Sequence, residues 1–213
     1  MSDLTENNNS QNVGENAENN EEEPTLRDTI LDWVKDIAIA LILAIIISLL
    51  IKPTIVKESS MEPNFNSNDY IFLSRTAYKF GREPKRGDVI VFRSNSDTLL
   101  DGRGRHKLLI KRVVGIPDDK IKIAEGKVYV NGEEADQSFT KDGETWVRGP
   151  GDDETLELTV PEDTVFCMGD NREVSVDSRS KEVGCIDQDT IVGKAVFRLL
   201  PLSDIGVIKN INE

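Results

Sequence analysis

From Ile37 to Ile51 the chain reads IAIALILAIIISLLI, fifteen residues without a charge and with Ser48 as the only polar side chain. A helix that is apolar on every side has no face to turn toward water, so it must sit in a protein core or in lipid. Fifteen residues cover about 22 Å, short of the roughly 30 Å hydrocarbon core of a bilayer. Trp33, Val34 and the snorkelling Lys35 and Lys52 can complete the span, with Pro53 closing it. A membrane anchor is therefore expected, with a buried core helix as the alternative. Thr25 followed three residues later by Asp28 reads as a helix start, which places the helix over 25–52. An acidic leader, with no small-x-small site before Lys52, speaks against a cleaved export signal. Arg27 and Lys35 on one flank are matched by Lys52 and Lys57 on the other, so charge alone leaves the orientation open.

Ahead of the helix, residues 1–36 hold ten acids against two bases, out of a whole-chain net charge of −13. Met1 to Glu23 contain seven Asn and six Glu and no aromatic residue, too little apolar surface to offset the entropy of ordering. Residues 1–24 are expected to form a disordered acidic tail. The negative balance also argues against a general grip on phosphate backbones, so nucleic acid is not an expected partner. Two Cys and one His give no cluster with metal-ligand spacing, and no metal or organic cofactor is implied.

After Pro53, short runs rich in Val, Ile and Phe alternate with turn signals: residues 70–74, 88–92, 108–116, 120–123, 127–130, 157–160, 164–168 and 191–199. This spacing predicts a mostly antiparallel β domain over 53–213. Asn131-Gly132 suits a two-residue hairpin turn, because both positions need positive φ. Asp136 to Glu154, with its Gly-Pro-Gly-Asp-Asp run, reads as a long loop or flap.

Three places could carry chemistry. In LLIKRVV, Lys111 and Arg112 are adjacent cations inside an apolar strand, and successive side chains point to opposite faces. If both faces are covered, burial lowers the lysine pKa and makes Lys111 a candidate general base, while Arg112 stays charged. If the strand is an edge, both cations reach solvent. Ser59-Ser60 lies within about 25 Å of extended chain from Pro53, hence near the end of the anchor. Its bland reading is turn chemistry. The third place, Gly169 to Arg179, packs Asp170, Asn171, Arg172, Ser175, Asp177 and Arg179 into one loop after a strand. That density suits groups that orient one another around a reactive centre, against the plain alternative of a charged surface loop.

SMEP (Ser60 to Pro63), RGDVIVF (Arg86 to Phe92), IKRVVGIPDDKI (Ile110 to Ile121) and GDNREVSVDSR (Gly169 to Arg179) resemble, in order, the signature segments of bacterial type I signal peptidases, in a Gram-positive-like single-anchor form. The resemblance implies a signal-peptidase/LexA-like antiparallel β catalytic domain behind one transmembrane helix. It also implies a membrane-bound serine endopeptidase that removes signal peptides from exported preproteins after Ala-x-Ala-like sites. By motif position, Ser60 matches the nucleophile and Lys111 the general base. Ser175 matches the serine that hydrogen-bonds the lysine amine, and Asp177 and Arg179 match a charged pair that holds the loop. Asp170, Asn171 and Arg172 support it. Val56, Met61 and Pro63 fall where substrate or membrane contacts are expected; Met61 and Phe65 either dip into the bilayer surface or pack in the core. The implied setting is the cytoplasmic membrane, with the N-terminus cytoplasmic, the catalytic domain outside, and the secretion machinery nearby. A Ser/Lys dyad needs no histidine, and His106, in the basic run Gly102 to Lys107, is expected to be a surface residue. The chain departs from the family pattern at Asn64 (usually Thr), Glu58 (usually Gly or Ser) and Asp118 (usually Gly). The Ser60 N–H is the expected oxyanion donor, with the second unassigned. Cys167 and Cys185 are expected to be buried thiols, although a bridge across the loop is feasible.

Competing readings are a self-cleaving domain of the LexA type, which would need a DNA-binding domain where the apolar helix lies, a catalytically inactive relative, and an anchored adhesion module displaying Arg86-Gly87-Asp88. That tripeptide leads straight into a strand and reads better as a turn.

Overall fold

The computed structural model describes residues 26–149, 151 and 153–211, with only the backbone of Asp28. The expected tail over 1–24 and the capping pair Thr25 and Asp28 therefore lie outside the described residues. Helix α1 runs Leu26–Leu50 and is exposed along its whole described length. Its candidate span, Thr29–Leu50, holds an 18-residue window of mean hydropathy 2.4, and its 22 residues make about 33 Å of helix. That is enough to cross a bilayer without the residues after Leu50. Ser48 Oγ donates to the Ile45 carbonyl at 2.7 Å, so the one polar group in the run is satisfied within the helix.

The helix ends two residues earlier than the predicted 25–52. Ile51 and Lys52 belong instead to strand β1 (Ile51–Ile55), which contains Pro53. The residue before a proline is driven toward extended backbone, and Pro lacks the N–H a central strand needs. Both constraints are met because β1 is an edge strand, paired only with β2 (Tyr70–Ser74).

The eight predicted runs all form strands: β2, β3 (Val89–Arg93), β4 (Leu108–Gly115), β5 (Lys120–Ala124), β6 (Lys127–Val130), β8 (Leu156–Thr159), β9 (Thr164–Met168) and β11 (Ile191–Leu200). Four short strands were not foreseen: β1, β7 (Glu133–Glu134), β10 (Ile186–Asp187) and β12 (Gly206–Val207). The larger sheet has the order β1-β2-β11-β3-β4-β9-β10 with β12 on β11, and the smaller β7-β6-β5-β8; all pairings are antiparallel. Asn131 and Gly132 both take positive φ, 55° and 86°, in the β6–β7 turn. Asp118, where the family favours Gly, also has positive φ, 69°. Asp is among the few side chains that tolerate this region.

Three apolar clusters hold the strands. Val56, Met61 and Phe65 join Ile71, Leu73, Val89, Val91 and Ala195 in one of them. A second surrounds Ile90, Phe92, Val113, Val165 and Cys167, and a third ties Ile121, Ile123 and Val128 to Phe166 and Met168. The first cluster settles the choice for Met61 and Phe65: both are buried in the core and cannot enter a bilayer. An apolar face is found elsewhere, where Pro53, Phe72, Phe197 and Val207 form one row across β1, β2, β11 and β12, and Ile55, Tyr70 and Leu200 the next. Ile55, Leu200 and Val207 of these rows are exposed, as are Leu202 and Ile205 nearby.

Arg86-Gly87-Asp88 is a turn and no display loop. Gly87 has φ 89°, Arg86 is ion-paired with Asp119, and buried Asp88 accepts hydrogen bonds from Tyr78, Asn210 and the Lys85 N–H.

Candidate active site

Strand β4 pairs with β3 from Leu108 to Arg112 but with β9 only from Arg112 onward, yet both cations are buried, so the reading in which they reach solvent fails. Each finds a different solution on its own face. Lys111 Nζ donates to Ser60 Oγ at 2.7 Å. Ser60 is carried by a single 3-10 turn, Ser59–Met61, that follows the core-anchored Val56 and is pinned below by the buried Met61. Burial of Lys111 pulls its pKa below that of an ordinary lysine, opposed by the carboxylates of Asp177 and Glu58 and assisted by Lys107. The sign follows from desolvation, which penalises the ammonium form. A buried amine that gives up its proton readily, in contact with a hydroxyl, can take that hydroxyl's proton; an exposed ammonium cannot.

Arg112, on the opposite face, forms a two-pronged ion pair with Asp170, Nε to Oδ1 at 2.8 Å and Nη2 to Oδ2 at 2.6 Å. Its Nη1 donates to the Gly87 carbonyl at 3.0 Å, and the guanidinium stacks 4.9 Å from the Phe139 ring centroid. This pair locks the loop after β9 onto β4. Asn64 adds to it, donating through Nδ2 to Asp170 Oδ2 at 2.9 Å and to the Phe139 carbonyl at 2.8 Å. Asn64, a departure from Thr in the sequence reading, thus supplies a donor to Asp170.

The loop holds the Ser60 turn from the other side. Asn171 N–H donates to the Ser60 carbonyl at 3.0 Å and its Nδ2 to the Ser59 carbonyl at 3.1 Å. Asp177 accepts the Gly169 N–H at 3.0 Å and pairs with Arg179 Nε at 2.8 Å. Burial alone would raise the Asp177 carboxyl; the charge and hydrogen bonds of Arg179 and the Gly169 N–H bring it below the usual range. Arg179 also donates to the carbonyls of Arg172 and Trp146, at 2.7 and 2.8 Å. Arg172, its pKa pushed down to about 10 by burial, donates to the Gly169 carbonyl, to Gln137 and to Thr145. The predicted flap over 136–154 thus contributes Gln137, Thr145 and the carbonyls of Phe139 and Trp146 to the support of the loop.

Ser175 departs from expectation. Ser175 Oγ is buried but forms no well-shaped hydrogen bond, so the expected bond to the lysine amine is not made; the hydroxyl lies toward Asp177, whose carboxylate it helps only weakly. Pro63, in a cis peptide bond with Glu62, is exposed at the end of the turn, and Met61 serves the core. Cys167 and Cys185 are free thiols, the first buried and raised in pKa by that burial, the second half-buried. His106 forms a β-bridge with Leu100, and its ring nitrogen Nδ1 lies 3.3 Å from the Ser96 carbonyl.

Gly169 escaped the sequence reading except as a turn. A Cβ there would collide with the Ser60 carbonyl and with Ser175 Oγ, and would sit 2.6 Å from Ser175 Cβ. Backbone at such range cannot yield without moving Ser60. Gly169→Ala is expected to cut turnover at least about a hundredfold, at a stability cost of ~1–3 kcal/mol typical of overpacking. Steady-state rates alongside thermal melts check this; full activity with an unchanged melt contradicts it.

A family model described as "Signal peptidase, peptidase S26" matches residues 30–200. The chain belongs to this family. Among similar proteins, signal peptidase IB of Staphylococcus aureus (strain COL) is 31% identical over 165 residues, covering 72% of this chain and 80% of that protein. Signal peptidase I of Bacillus licheniformis is 30% identical, with coverages of 72% and 79%. The probable signal peptidase I-2 of Synechocystis sp. (strain ATCC 27184 / PCC 6803 / Kazusa) is 31% identical over 72% of this chain, and the chain spans 65% of that protein's length. A crystal structure of a signal peptidase I from Enterococcus faecalis V583 matches with 27% identity and a TM-score of 0.39, over 53% of this chain and 96% of the other. The family match runs from within α1 to the end of β11, and so includes Ser60, Lys111 and the loop Gly169 to Arg179.

Proposed function

We propose that this chain is a membrane-anchored serine endopeptidase that removes signal peptides from exported preproteins, with Ser60 as nucleophile and Lys111 as general base. The observation that carries the reading is the buried 2.7 Å contact from Lys111 Nζ to Ser60 Oγ. The neutral amine takes the Ser60 proton as Oγ attacks the carbonyl carbon before the cut. The Ser60 N–H stabilises the resulting oxyanion. As the C–N bond breaks, the Lys111 ammonium gives its proton to the departing amine, the new N-terminus of the mature protein. Water then attacks the Ser60 ester, returns a proton through Lys111, and releases the signal peptide as a carboxylate.

The substrate would lie as an added strand along β4, which is unpaired on one side from Leu108 to Lys111. Val56 and the half-buried Ile110 pack in one cluster with Met61, the residue after Ser60; in this reading they restrict the subsites beside Ser60 to small residues, as in Ala-x-Ala. The family match and the 22-residue apolar span of α1 support action at a membrane. In this reading α1 is a single anchor, the tail over 1–24 is cytoplasmic, and the β domain from residue 53 works outside, close to the secretion machinery.

The test is cleavage of a preprotein bearing one Ala-x-Ala site in detergent, with products located by mass spectrometry. Wild type is expected to cut after the second Ala and Ser60→Ala to leave the preprotein intact. Cutting elsewhere, or equal cutting by Ser60→Ala, would refute the assignment.

A further inference from the structure

The bare side of β4 is not fully open. Val89 to Arg93 of β3 pair with Arg112 to Leu108, but β9 joins the other side only from Arg112 onward. The segment 58–60 meets this bare stretch at both of its ends. At one end Lys111 reaches Ser60. At the other, Lys107, the residue before β4, is ion-paired with Glu58, the residue before the Ser59–Met61 turn.

The two spacings do not match. Four strand residues separate Lys107 from Lys111 by about 13 Å, whereas Glu58 and Ser60, two residues apart, span about 7 Å at most. The long side chains of Glu58 and Lys107 therefore bridge the remaining distance between the 58–60 segment and the start of β4. Both are open to water, with side chains 41% and 39% exposed. A pair so exposed is worth little on its own, which suits a contact broken at each binding event. Glu58 also stands where the family usually has Gly or Ser, neither of which could make this pair.

We propose that Glu58 and Lys107 form a clasp across the unpaired edge of β4, which an extended peptide must open to reach Ser60, so that these two side chains set how readily a peptide is admitted. This rests on the endopeptidase reading of Ser60 and Lys111. Opening costs the ion pair and is easier where salt screens it.

The test measures binding of a fluorescent signal peptide, uncharged around its cleavage site, to full-length protein in detergent. Ser60→Ala prevents cleavage, and Ser60→Ala carrying Glu58→Gln and Lys107→Met lacks the clasp. Without the clasp the peptide is expected to bind about fivefold more tightly at low salt, or ~1 kcal/mol at 1.4 kcal/mol per tenfold. High salt should bring the intact clasp up to the same affinity and leave the neutral variant unmoved. With Ser60 in place, the same neutral pair should lower KM for the peptide. Equal or weaker peptide binding by the neutral variant, or no salt response of the intact pair, overturns the clasp even if preprotein is still cut. Absence of cleavage by wild type sinks the endopeptidase reading instead, and absence of peptide binding to either form overturns both.

Discussion

Replacing Lys111 with Met is expected to lower kcat/KM at least about a thousandfold while raising the melting temperature. The first effect removes the only side chain among the described residues that donates to Ser60 Oγ, and loss of a base that activates a nucleophile costs more than the ~100–10,000-fold of general base catalysis alone. The second follows from linkage. Burial places the folded-state pKa of Lys111 below its unfolded value near 10.4, so at neutral pH the unfolded chain holds a proton that the folded site resists. Stability therefore rises with pH between the folded and the unfolded pKa, and falls as pH drops through that window. Methionine fills the same space without this penalty, so its advantage should be larger at mildly acidic than at alkaline pH. Activity of the unmodified protein should rise with pH along a limb lying below the range where an exposed lysine titrates. Rate profiles and melts at several pH values read both effects. A lower melting temperature together with retained activity would contradict the role given to the buried amine.

Asp170→Asn is expected to be the most destabilising single change around the loop. The substitution keeps the shape and removes the charge, leaving Arg112, 3% exposed, facing a neutral group. Breaking one partner of a buried ion pair costs ~3–5 kcal/mol, which for a chain of this size is a fall of about 10 °C or more in Tm. The Phe139 contact and the Asn64 bond to Asp170 would loosen with it, and with them the loop that holds the Ser60 turn. Arg112→Met combined with Asp170→Leu should recover most of the lost stability, because the cost lies in the stranded charge. Denaturant titrations of the two single variants and the double decide this. A double variant as unstable as the sum of the singles would show that the pair itself is the stabilising element.

Much of the fold is legible in the chain because alternating burial along strands such as β2 and β5 leaves a period-two signature, and turns such as Asn131-Gly132 carry their own chemistry. Strand β1 was not legible: Ile51 continues an apolar helical run without a break, and only Pro53 and the pairing with β2 separate helix from sheet. The site was legible in part. Adjacent Lys111 and Arg112 point to opposite faces, but whether those faces are wet or dry depends on what packs over them, here the Ser60 turn and the Asp170 loop, a long-range fact that local sequence does not contain. Seeing Ser60 and Lys111 as partners came from the resemblance, since nothing local links two residues so far apart in the chain. The flap's part was invisible because Phe139 and Trp146 act through main-chain carbonyls, which any residue could supply. The clearance at Gly169 and the reach of Glu58 to Lys107 depend on how separate segments approach, and no spacing rule encodes them.

The most direct test of the central claim is acylation of the folded protein by a serine-directed covalent reagent, with the modified residue located by peptide mass mapping across pH. Ser60 should be the labelled residue, at a rate that climbs with pH to a plateau as Lys111 loses its proton, and Lys111→Met should label slowly at every pH. Labelling at another serine, or an unchanged rate and pH profile in Lys111→Met, would contradict the account.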